Sequence, residues 1–139
     1  MTDDAGPIDA APGDRLPPFE RRADFETWNR FAAVNDEFVP IHMDDQAGRH
    51  AGLPSAIGMG NLGVAQIHCL LRSWIPAEGR IADVSVQFRS PAVRGRTNSA
   101  HGSVTAVHVE GERRRIDLDV WVEDDTGTTL TSGTATVEA

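Results

Sequence analysis

The segment Gly58-Met59-Gly60-Asn61, continued by Leu62, Val64, Ala65, Ile67, Cys69, Leu70, Leu71, Trp74 and Ile75 and closed by Pro76, restricts the fold more than any other feature. Its apolar residues cover most of a helix circumference instead of one stripe, and such a helix is buried on most sides. It includes Gln66, His68 and Arg72 and falls short of the roughly 20 apolar residues that span a bilayer, so it reads as a core helix. The chain has 139 residues, the size of one domain, and something in that domain must wrap around the helix.

The second half of the chain supplies the wrapper. Residues 81–88 alternate, with Ala82, Val84, Val86 and Phe88 opposite Ile81, Asp83, Ser85 and Gln87. Residues 113–123 alternate again, and residues 128–138 are rich in threonine and valine. Residues 97–109 carry Val104, Val107 and Val109, but their two faces are less clearly sorted. Glu110-Gly111 and Asp124-Asp125-Thr126-Gly127 are turn signals between these runs. The pattern predicts an α+β chain, four antiparallel strands curled around a central apolar helix.

Ahead of that helix, Asp24 is placed to cap a first helix bearing Phe25, Trp28, Phe31 and Ala32, which should end at Asn35-Asp36. Residues 35–56 read as loop with a short helical piece, punctuated by Pro40, Gly48, Gly52 and Pro54. Residues 1–18 hold four of the eight prolines and read as a flexible arm before a single domain over 19–139.

Thirteen basic residues against 21 acidic ones, a net charge of -8, provide no basic field for nucleic acid or an anionic membrane. Every basic residue is arginine, and without lysine Schiff-base and Walker-A chemistry is excluded. Tyrosine is absent and Cys69 is the single cysteine, so neither a tyrosine acid nor a multi-cysteine metal site is expected. With no His-x-x-x-His pair either, we expect no metal and no cofactor. The acidic start Met1-Thr2-Asp3-Asp4 has no apolar stretch behind it, so the expected location is the cytoplasm.

Carboxylates, five histidines, hydroxyls and backbone amides remain for chemistry. They are densest in Asn35-Asp36-Glu37-Phe38-Val39-Pro40-Ile41-His42-Met43-Asp44-Asp45, where a proline-fixed loop can aim an acid and an imidazole at one water. The same spacing also describes a solvated acidic loop with a capping histidine. Gly58-Met59-Gly60-Asn61 opens the apolar helix, where free N–H groups and the helix dipole favour a developing oxyanion. Glycines there equally permit close packing of helix on sheet. His68 lies inside the apolar helix and reads as a hydrogen-bonded core or interface residue, while His50, His101 and His108 lack nearby acids in sequence and read as structural or surface residues.

Phe31-Ala32-Ala33, then a carboxylate, Phe38, Pro40-Ile41-His42 and Asp44, resembles the signature of the MaoC-like (R)-specific enoyl-CoA hydratases and dehydratases. Ala51-Gly52-Leu53-Pro54, the Gly60 turn into an apolar helix, and Val86-Gln87-Phe88-Arg89-Ser90-Pro91 with Gly95 follow in the same order. The resemblance spans roughly residues 23–138. It implies a hotdog fold and the reversible addition of water to a trans-2-enoyl thioester of CoA or an acyl carrier. It implies His42 as the catalytic histidine, Gly60 as the amide donor to the thioester oxygen, and Glu37 at the aspartate position, with Asp36 beside it. It places Met59 and Asn61 against substrate, and Arg89, Arg94 and Arg96 at the channel edge as candidates for the phosphates.

Three positions depart from the family pattern: Glu37 for aspartate, Val39 for the asparagine before the proline, and Met59 for the histidine before the helix glycine. Two other roles therefore stay open, a non-catalytic subunit of a heteromeric dehydratase and a hotdog thioesterase. The Pro-Ile-His element favours hydration over hydrolysis. A lone curled sheet leaves strand edges unpaired, so a homodimer or a heterodimer with another hotdog chain is expected.

Overall fold

A computed structural model describes residues 6–139; residues 1–5 of the expected arm lie outside the described residues. After a 3-10 turn at Pro7–Asp9 come β1 (Phe19–Ala23), α1 (Phe25–Asn35), α2 (Pro40–Met43), α3 (Asp45–His50) and α4 (Gly60–Trp74). The chain then runs through β2 (Arg80–Phe88), β3 (Arg96–Glu110), β4 (Arg113–Asp124) and β5 (Thr129–Glu138). One antiparallel sheet has the order β1-β3-β4-β5-β2.

The inward positions of the three middle strands form the core: Ala100 and Val104 of β3, Ile116, Leu118, Val120 and Val122 of β4, and Ala135 and Val137 of β5. Ile67, Leu70 and Leu71 of α4 pack onto them. The helix is less enclosed than its composition predicts. It buries the side bearing Gln66, Ile67, Leu70 and Leu71, while Asn61, His68, Cys69, Arg72 and Ser73 are exposed. The reason is geometric, since one sheet covers one side of a helix.

Three further differences have local causes. The sheet has a fifth strand, β1, whose sequence Phe-Glu-Arg-Arg-Ala shows no alternation because it is an edge strand held through its backbone to residues 96–100. Between Val104 and Ala106 the β3–β4 register shifts, a β-bulge that explains why the faces of residues 97–109 are poorly sorted in the sequence. Residues 13–16 do not hang loose as an arm. Gly13 N–H donates to Val104 O at 2.8 Å, Leu16 N–H to Gly102 O at 3.0 Å, and Val104 N–H to Asp14 O at 2.8 Å. These bonds pair the stretch of β3 that the shorter β1 leaves open, and Ala10 and Leu16 enter the core.

A second, smaller core gathers Ala23, Trp28, Ala32, Ala56 and Met59 under α1. Asp24 caps α1 by accepting from Phe25 N–H at 2.8 Å. The helix ends at Asp36, whose φ of 53° is the one left-handed non-glycine backbone among the described residues, and Glu37 N–H closes back onto Ala32 O at 3.1 Å. Asp124 organises the β4–β5 turn. Burial opposes its ionisation, but the Thr126 hydroxyl, the N–H groups of Thr126 and Thr128, and the charge of Arg96 hold its carboxyl below the ordinary value.

Candidate active site

Pro40 starts α2 because its fixed φ suits a first helical position, and two residues later the helix presents His42. Opposite runs the extended segment 56–58. Ile57 N–H donates to Ile41 O at 3.0 Å, Gly58 N–H donates to Ala92 O at 2.8 Å, and Ile57 forms an isolated antiparallel bridge with Val93. The backbone of 56–58 is therefore stitched between the His42 turn and the β2–β3 connection.

That placement determines the chemistry of the imidazole. His42 Nδ1 lies 2.8 Å from Ile57 O, and a carbonyl can only accept, so Nδ1 carries the proton. The neutral ring then keeps its lone pair on Nε2, as a base requires. His42 lines a cavity of about 360 Å³, which also takes in Met59, Gly60 and the first two turns of α4. Gly60 and Asn61 open α4, so their N–H groups have no carbonyl one turn earlier to bond, and no side chain caps this end. A Cβ on Gly60 would stand 2.7 Å from the Phe88 ring, so glycine keeps this N–H reachable beneath an aromatic cover.

The remaining candidates divide. Met59 is buried and lines the cavity, whereas Asn61 is exposed and does not. Arg89 lines it too, its Nε donating to Ser132 Oγ at 3.0 Å. Arg94 and Arg96 do not line it; they pair with Asp45 at 3.0 Å and with Asp125 at 3.7 Å. Asp36 and Glu37 do not line it either. The backbone of the exposed Asp36 forms the left-handed helix end, and the half-buried Glu37 follows it. The histidine and the helix-start amide thus share one cavity, and the neighbouring acids stand outside it.

Two residues with no carboxylate near them in sequence acquire one in space. His101 stacks on Trp121 and approaches Glu123 at 3.2 Å, and His108 approaches Asp117 at 3.4 Å, both away from the cavity. Among the described residues no three His, Cys, Asp or Glu side chains converge on a point where a metal could sit.

Sequence reasoning missed the polar side of the cavity. Gln66 of α4, Asn98 of β3 and Thr131 of β5 are the buried polar side chains of the described residues, and all three line it. Trp28 of α1 joins them. A signal was present, since Asn98 and Thr131 occupy inward strand positions where the alternation calls for apolar residues.

No protein-family model matches the sequence, and no curated protein matches it significantly. Solved structures do. The (R)-hydratase from A. caviae involved in PHA biosynthesis superposes with a TM-score of 0.82 over 93% of this chain and 96% of that one, at 22% identity. The MaoC-like dehydratase from Rhodospirillum rubrum matches at 0.80 over 97% and 96%, with 20% identity. The ChsH1-ChsH2 complex from Mycobacterium tuberculosis matches at 0.81 over 92% and 97%, with 18% identity. The chain therefore has a hotdog fold. Within that class its structural neighbours are MaoC-like dehydratases and (R)-hydratases. At these identities the shared property is the fold, and function rests on the site.

Proposed function

We propose that the chain is a MaoC-like hydro-lyase that reversibly adds water to a trans-2-enoyl thioester of CoA or an acyl carrier. The observation that carries this reading is the 2.8 Å contact between His42 Nδ1 and Ile57 O, which leaves Nε2 as the basic nitrogen of a residue that shares one cavity with Gly60. In the hydration direction Nε2 takes a proton from water as its oxygen bonds to the β-carbon. The π electrons move toward the thioester carbonyl, whose oxygen gains negative charge against Gly60 N–H, and a proton returns to the α-carbon. One such donor is worth about 2.7–4 kcal/mol in comparable sites. Arg89 binds a phosphate of the carrier arm at the cavity mouth.

One observation favours a second reading. Asp36 and Glu37 stay out of the cavity, so a chain lacking a carboxylate there would serve as the quieter subunit of a heteromeric dehydratase. The outer edge of β2, unpaired among the described residues, and the exposed side of α4 support assembly with a second hotdog chain.

The test is the loss of enoyl absorbance with trans-2-enoyl-CoAs, for wild type and His42→Ala. Turnover by wild type with a drop of about 100-fold or more in kcat for the variant supports the reading. Unchanged turnover in His42→Ala removes it, and a silent chain that copurifies with an active hotdog partner selects the subunit reading.

A further inference from the structure

The cavity's polar lining is out of keeping with a channel for a plain alkyl chain. Asn98 is 4% exposed and Trp28 is fully buried, and among the described residues neither Asn98 Oδ1 nor Trp28 Nε1–H has a hydrogen-bond partner. Both residues line the cavity, together with Gln66 at 5% and Thr131 at 4% exposure. The contributions come from α1, α4, β3 and β5, so this is a convergence in space and not one polar stretch of sequence. Nothing in the core demands it. The inward neighbours of Asn98 along β3 are Ala100, Gly102 and Val104, and those of Thr131 along β5 are Gly133, Ala135 and Val137. A buried amide oxygen and a buried indole N–H left unpaired are costly, and a site that keeps them is organised for a ligand that pairs them.

We infer that the acyl group this cavity accepts carries a hydroxyl beyond the reacting carbons, so that the substrates are hydroxylated enoyl thioesters and not unadorned alkyl ones. This deepens the hydratase reading and rests on it. A hydroxyl is the group that fits, because it both donates and accepts. It can donate to Asn98 Oδ1 as the amide stands, or accept from the amide N–H if the amide is turned, and a hydroxyl can equally accept from Trp28 Nε1–H. The cavity volume of about 360 Å³ lies at the small end of the roughly 300–1,000 Å³ range of small-molecule sites, which suits a short acyl group. Phe88, Leu130 and Val122 supply the apolar walls for its carbons.

The experiment uses six-carbon trans-2-enoyl-CoAs, unsubstituted or with one hydroxyl on carbon 4, 5 or 6, and measures kcat/KM for wild type, Asn98→Leu and Thr131→Val. In parallel, calorimetry measures binding of the saturated hydroxylated and plain acyl-CoAs. The expected result is a ratio of hydroxylated to plain kcat/KM of about tenfold or more in wild type for at least one position. That ratio should collapse toward one in Asn98→Leu, with the same order in the binding constants. A ratio near or below one in wild type overturns the inference while plain turnover leaves the hydratase reading standing. So does a ratio that Asn98→Leu leaves unchanged. Selective binding of the hydroxylated acyl-CoA without turnover of any substrate upholds the pocket chemistry and defeats the hydratase reading; absence of binding and turnover defeats both. If Asn98→Leu fails to fold by circular dichroism, the wild-type ratio and Thr131→Val decide.

Discussion

Arg94 meets Asp45 at 3.0 Å, and the other oxygen of Asp45 accepts from Ala56 N–H at 3.1 Å. Ala56 precedes Ile57, whose carbonyl sets the proton on His42. Arg94 also lies over the Phe25 ring, 4.7 Å from its centroid. The pair thus clamps the backbone that orients the imidazole without entering the cavity, which makes Asp45 a positioning residue.

Asp45→Ala removes an ion pair with exposed guanidinium, worth under about 1 kcal/mol, and a backbone hydrogen bond worth about 1 kcal/mol. A thermal melt should fall by several degrees. A purely structural role stops there. The positioning role predicts that kcat falls by more than KM rises, and that Asp45→Asn, which keeps an acceptor for Ala56 N–H, recovers most of kcat. Steady-state kinetics on the three proteins checks this.

Asp36 and Glu37 separate by substitution. The left-handed backbone at Asp36 favours glycine, so Asp36→Gly should keep wild-type turnover and gain up to about 1 kcal/mol in a denaturant titration. Loss of turnover in Asp36→Gly would instead mean that its carboxylate is needed chemically.

Arg89 pairs with no acid among the described residues, unlike Arg94 and Arg96. Arg89→Ala should raise KM for an enoyl-CoA about tenfold with little change in kcat, since charge-assisted hydrogen bonds contribute about 1.5–3 kcal/mol. The matching enoyl-pantetheine, which has no phosphate, should show no such rise. Equal effects on both thioesters would remove the phosphate role.

The Asp124 turn predicts a pH dependence. Its folded carboxyl sits below the ordinary 3.8, so its contribution is present above the unfolded value and is lost as pH falls through the folded one. Asp124→Asn should melt below wild type at pH 7, and the gap should close below about pH 4. A constant gap between pH 7 and pH 3 would show that the loss is unrelated to ionisation.

Much of the scaffold is legible before folding. Alternation at 81–88 and 113–123 places β2 and β4, and Asp24 and Asn35-Asp36 mark the ends of α1, because these depend on the residue's own neighbours. β1 is not legible, since an edge strand held through its backbone needs no apolar alternation. The bulge near Ala106 hides the faces of β3 for the same kind of reason. In the candidate site, Pro40, His42 and Gly60 are visible as residue types with chemical uses, but the tautomer of His42 depends on Ile57, fifteen residues away.

The sequence alone determined that a greasy helix would pack against antiparallel strands, because hydrophobic periodicity is a local property that burial enforces. It also limited the available chemistry to acids, histidines, hydroxyls and amides, because composition does not change on folding. Only the tertiary structure decided which of these share a cavity. It turned Asp36 and Glu37 away through one left-handed helix end, and it gathered Gln66, Asn98, Thr131 and Trp28 from four elements around one space. Convergence of that kind depends on strand register and helix docking, and neither is written in the spacing of residues along the chain.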